Sequence, residues 1–187
     1  MNLKHLVERY KRNNNYDWAL SECKPGKHSI KEMIKFAVYT WDPELKVCHR
    51  NYSKDNRVRE EMVKKLQQSL SSLGTPATFE DILKWVYFNK VRGFNSTGVY
   101  DTALRIGVYF HLYPTMVYVH SGSLEGTKLL LGENYGDKVA YYFQNNENYP
   151  VFHRSSYPIE LHELEPYHIE NFLCANKERF KTTVLAN

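Results

Sequence analysis

The sequence predicts a mainly α fold, a helical bundle of about seven helices with at most a minor two-stranded β element. Three observations carry this prediction. Apolar residues recur at three- and four-residue spacing in most segments. Helix start and stop signals bracket those segments. Only two short stretches, residues 116–120 and 141–143, are aromatic or β-branched enough to read as strands.

In chain order, a first helix is expected over residues 3–12. A second starts near Ser29, with Ile30, Met33, Ile34, Ala37, Val38 and Trp41 on one face, and Asp42-Pro43 stops it. A third covers residues 56–73, with Val58, Met62, Leu66 and Leu70 facing inward and Gly74-Thr75-Pro76 as the stop. Thr78 caps the fourth, and Asp81 three residues on completes a capping box; Phe79, Ile82, Leu83 and Val86 face the core. After a turn at Gly93 comes a nearly all-apolar helix over residues 98–110, then the extended segment 116–120. A short helix over 124–131 ends at Gly132. Residues 133–163 carry the weakest pattern, with 141–143 as a second short strand. The last helix opens at Glu165-Pro166, Pro taking the first helical position, and Ile169, Phe172, Leu173 and Phe180 form its apolar face.

The organisation expected is a basic N-terminal helical part over residues 1–76 and a core over 77–187, packed together as one compact unit. Residues 1–65 hold fifteen Lys/Arg against nine Asp/Glu, whereas the remainder holds ten against twelve. That bias suits a polyanionic partner, or simply a solvated helical face. The fifteen tyrosines fit core positions with polar handles, or a stacking surface. Cys23, Cys48 and Cys174 are odd in number and far apart, so they read as reduced thiols of a cytoplasmic protein. No secretion signal is expected, because MNLKHLVERYKRNNN is charged where one needs an apolar core. The uncharged run between Arg105 and Glu125 contains Pro114, two His and Ser-Gly-Ser, which argues against a membrane span.

The candidate nucleic-acid site is the segment Val91-x-Gly93-Phe94-Asn95 leading into an apolar helix, the spacing of a helix-hairpin-helix. Asn95 stands where the second glycine belongs, on the expectation that Asn tolerates the left-handed region. Such a turn aims backbone N–H groups at a phosphate beside a helix N-terminus. Lys90 and Arg92 flank it, and Ser96 and Thr97 add hydroxyls. A plain connection between two packed helices would have the same spacing.

Asp101 and Arg105, four residues apart, share a face of the apolar helix. They suit a general base and an anion-holding group, or a structural ion pair. His120 closes the extended segment beside Ser121-Gly122, a position open to a functional or a purely structural imidazole. The eight histidines form no metal-ligand pattern, so neither a metal nor a cofactor is expected. Gly122-x-x-x-Gly126-Thr127-Lys128 has the wrong order for a phosphate-binding loop of the Walker type.

The blocks Tyr100-Asp-Thr-Ala-Leu-Arg-Ile-Gly107, Val117-Tyr-Val-His-Ser-Gly122 and Glu165-Pro-Tyr-His-Ile-Glu-Asn-Phe-Leu-Cys174 together resemble an uncharacterised family of small bacterial proteins with a helix-hairpin-helix-like core. The resemblance spans roughly residues 80–180 and implies that the blocks form one unit. The turn is also distantly similar to the helix-hairpin-helix of DNA glycosylases. The hairpin Lys and iron–sulfur cysteines of those enzymes have no counterpart, and Asp137 only loosely matches their catalytic Asp. That likeness implies backbone binding rather than base excision.

The expected function is therefore non-specific binding of nucleic acid, DNA first, through the turn at Gly93. The alternatives are a protein-interaction module of a bacterial stress or defence system, and an enzyme using Asp101, Arg105 and His120.

Overall fold

The computed structural model describes residues 2–13, 20–39, 55–143 and 149–184. They form a mainly α protein with a small antiparallel sheet. The chain divides into two compact units, one of Asn15–Tyr113 and one joining Met1–Asn14 to Pro114–Asn187. Residue 76, where the sequence suggested a boundary, falls inside the first of these.

In the unit of Asn15–Tyr113 the helices are α2 (Ile30–Tyr39), α3 (Asn56–Gln68), α4 (Leu70–Leu73), α5 (Phe79–Phe88) and α6 (Ser96–Tyr109). The apolar stripe of α2 buries Met33, Ile34, Ala37 and Val38; Trp41 and Asp42-Pro43, the expected end of this helix, lie outside the described residues. The expected helix over 56–73 is two helices, broken at Ser69. At the break the Ser69 carbonyl accepts from Trp85 Nε1 at 3.2 Å, from Ser72 Oγ at 2.6 Å and from Ser72 N at 2.9 Å, the last an i+3 bond of 3₁₀ type.

Helix α5 opens on the capping box the sequence predicts. Thr78 Oγ1 accepts from Asp81 N at 3.2 Å, and Asp81 Oδ2 accepts from Thr78 N at 2.9 Å. Helix α6 is the core of this unit, buried continuously from Thr97 to Val108, and it packs on both α5 and α2. It ends in a Schellman motif: Leu112 N donates to Gly107 O at 2.8 Å and His111 N to Val108 O at 3.1 Å, with His111 at φ 58° in the usual glycine position.

The other unit holds α1 (Leu3–Asn13), β1 (Val117–Tyr118), α7 (Ser121–Leu131), α8 (Tyr135–Lys138), β2 (Ala140–Tyr142), β3 (Tyr149–Phe152) and α9 (Pro166–Val184). Its core gathers Val7, Val117, Val119, Phe152, Leu161, Ile169, Phe172 and Phe180 among others. Helix α7 lies against α9 because Gly122 and Gly126, one turn apart, present no side chains. A Cβ on Gly126 would come within 2.5 Å of the Leu173 carbonyl oxygen, and one on Gly122 within 2.8 Å of Cys174 Sγ.

The sheet has three strands rather than two, in the order β1-β3-β2, all antiparallel. Val117 pairs with Phe152 and Tyr142 with Tyr149. The central strand is the one the sequence hides, since it contains Pro150, which cannot donate to a ladder. Its carbonyl still serves, accepting from Val119 N at 2.9 Å.

Candidate nucleic-acid interface and buried polar pairs

The connection from α5 to α6 is built on two buried anchors, Val91 and Phe94. Asn89 caps α5, its Nδ2 donating to the Trp85 carbonyl at 2.8 Å. Phe94 N then donates to Val91 O at 3.1 Å, which closes a β-turn with Arg92 and Gly93 at its exposed tip. Gly93 has φ +90°, the value a type II turn demands at its third position. Space is not the constraint there, because an added Cβ would meet only a Val58 methyl at an ordinary 3.5 Å.

Asn95 departs from the expected role. Its backbone is extended, at φ −80° and ψ 173°, not left-handed, and its Oδ1 accepts from Gly98 N at 2.8 Å as the N-cap of α6. The residue is an Asx cap, not a glycine substitute. The extra Gly98 follows from packing, since a Cβ there would press to 3.1 Å on the Phe94 ring. Ser96 is exposed but Thr97 is buried, which removes its hydroxyl from the exposed face of the turn. Arg92 is exposed. The Lys90 ammonium sits 4.8 Å from the Tyr87 ring centroid, and partial burial lowers its pKa below the ordinary lysine value.

Asp101 and Arg105 are brought together on α6, both buried, with Arg105 Nη2 3.8 Å from Asp101 Oδ2. The guanidinium makes its closer contact elsewhere: Nη1 donates to the Ala37 carbonyl at 3.0 Å. Ala37 is a buried residue of α2, so the guanidinium ties α6 to that helix. Cys23 belongs to the same surroundings; burial pushes its thiol up to about 12, and the Arg105 charge opposes that rise. Sequence reasoning did not connect Cys23 with this pair, because only the folded chain brings them together.

His120 falls in the other unit, apart from the unit of Asp101 and Arg105. Its Nε2 stands 3.5 Å from Glu170 Oε1, both groups buried. Ser123 holds the backbone of His120 from both sides, with Oγ accepting from His120 N at 3.0 Å and donating to His120 O at 2.8 Å. Ser121, between His120 and Gly122, takes φ +43°, a left-handed conformation uncommon for a residue with a Cβ. Tyr157 OH lies 3.2 Å from Thr127 Oγ1; burial raises the phenol's pKa most, and the Glu170 charge adds to it. Glu170 escaped sequence reasoning, although an acid inside the apolar stripe Ile169–Phe172–Leu173 is its signal.

No protein-family model, curated protein or solved structure matches the chain. Function therefore rests on the chain's own geometry. Arg105 is an anchor between two helices, donating to the main chain of α2. His120–Glu170 is an acid–base pair locked into a buried helix start. The turn at Gly93 differs from both in facing solvent, with Lys90 and Arg92 on its N-terminal side. Among the described residues, no helix is long and apolar enough to cross a membrane.

Proposed function

We propose that this protein binds nucleic acid without base specificity, holding a backbone phosphate at the turn between α5 and α6. The observation that carries the reading is the exposed Arg92–Gly93 tip, with Gly93 at φ +90°, set directly before a 14-residue helix whose N-terminus faces the turn. Charge supports it as well. Between Asp81 and Asp101 the chain carries Lys84, Lys90 and Arg92 and no carboxylate. The residues assigned to the phosphate are Lys90, Arg92, Gly93, Asn95 and Ser96, with Thr97 serving α6 internally. DNA is the first candidate, and a cytoplasmic location suits Cys23 and Cys174 as thiols.

Fluorescence anisotropy of labelled duplex and single-stranded DNA across a salt series tests it. Affinity should fall steeply with salt, and Arg92→Ala should weaken binding and reduce the salt slope by about one. Gly93→Glu, which adds strain and a like charge for the phosphate, should abolish binding while circular dichroism stays helical. Absence of binding to either DNA at low salt would reject the reading.

A further inference from the structure

Phe88 is 72% exposed, the most exposed of the large hydrophobic side chains among the described residues. It is the last residue of α5 and stands immediately before the cationic turn. Its ring packs edge-to-face on Tyr87 at 5.6 Å, and the Lys90 ammonium lies over that same Tyr87 ring. Aromatic ring, cation and turn thus follow one another closely along the chain in one unit of the fold, with Tyr87 touching both the ring and the cation. Asn89 provides the cap, and Trp85 and Val86 supply the buried side.

Resting on the phosphate-binding reading above, we infer that the ligand of this surface is single-stranded nucleic acid, with an unpaired base stacking on Phe88 while the adjoining phosphate is held by Arg92 and the Gly93 turn. A duplex keeps its base faces covered, so an exposed aromatic ring beside a phosphate site gains nothing from it. A single strand offers a π-face at every nucleotide, and stacking on an aromatic side chain is tolerant of sequence. Charge complementarity favours this occupant over a protein surface, because the segment around Phe88 carries Lys84, Lys90 and Arg92 with no acid between Asp81 and Asp101. Uracil- or thymine-rich strands, which stack least on themselves, should bind best.

The experiment uses the full chain with labelled oligo-dT, the matching duplex, and anionic vesicles of phosphatidylserine and phosphatidylcholine. Wild type should prefer the single strand. Phe88→Ala should lower oligo-dT affinity on the order of ten- to a hundred-fold, the size of one lost stack, and leave duplex affinity within about twofold. Phe88→Trp should restore it. Arg92→Ala should weaken both ligands together. Because Phe88 is exposed, its variants should stay folded, which circular dichroism checks. Binding lost with Arg92→Ala but unchanged by Phe88→Ala overturns the stacking role and leaves phosphate binding standing. No binding to either DNA overturns both. Vesicle binding that depends on Phe88, without oligonucleotide binding, assigns the surface to a membrane interface instead.

Discussion

Arg105 donates from Nη1 to the carbonyl oxygen of Ala37 at 3.0 Å, joining α6 to α2 across 68 residues of sequence. Its partner on the same helix, Asp101, is farther away at 3.8 Å. The guanidinium thus makes an interhelical hydrogen bond, with the Asp101 carboxylate beside it in the same buried site.

Arg105→Ala should destabilise the protein by about 3–5 kcal/mol, because it removes the cation beside the buried Asp101 carboxylate. The double variant Asp101→Leu, Arg105→Met should recover most of that loss. Urea unfolding of the single and double variants checks this, and equal losses would show that charge balance is not the main term.

Gly126→Ala should cost about 1–3 kcal/mol, since its Cβ would meet the Leu173 carbonyl, a backbone atom that cannot swing aside. Gly136, in α8, has nothing within 4 Å of an added Cβ. There the same substitution should be neutral or stabilise by about 0.4–1 kcal/mol by restricting the unfolded chain. Thermal midpoints of the two variants separate a packing glycine from a dispensable one.

Thr78→Ala should cost about 1 kcal/mol through loss of the α5 cap. The reciprocal half is pH-dependent. Hydrogen bonds from the Ala77 and Thr78 amides, then from the Thr78 hydroxyl, hold the Asp81 carboxyl below its ordinary value. A depressed folded pKa gives stability that is present above the unfolded pKa and lost as pH falls through the folded one. Acid unfolding followed by circular dichroism should therefore have a shallower limb in Asp81→Asn than in wild type. An unchanged limb would mean the cap does not titrate with folding.

Cys23 shifts the opposite way. Burial raises its thiol to about 12 from an ordinary 9.0, so the native state keeps it protonated. The corresponding stability is complete below pH 9 and declines as pH rises towards 12. At neutral pH Cys23 should resist alkylation while the partly exposed Cys174 reacts, as peptide mapping by mass spectrometry would read out. Denaturant should erase the difference.

Much of the fold was legible because its signals are local. Thr78 and Asp81, Pro166 at the first position of α9, and Gly132 after α7 each act within a turn or so, and the structure uses all three as expected. The turn at Gly93 was legible for the same reason, and the structure buries the two apolar residues of its pattern, Val91 and Phe94. The role of Asn95 was misread because a cap and a left-handed turn residue draw on the same amino acid. Sequence spacing could not separate them.

By itself, then, the chain determined its helical class, most helix starts and stops, the apolar faces, and the charge around residues 84–92. Tertiary structure decided the rest. It joined the Ser69 carbonyl at the helix break to Trp85, sixteen residues away, and drew Tyr149–Phe152 into a sheet despite Pro150. It gave His120 the Glu170 carboxylate and seated α1 by a hydrogen bond from Asn171 Nδ2 to Tyr10 OH. These pairings join residues distant in sequence, and no local spacing encodes them. They form because burying an apolar face leaves its polar neighbours to find partners in whatever segment packs against them.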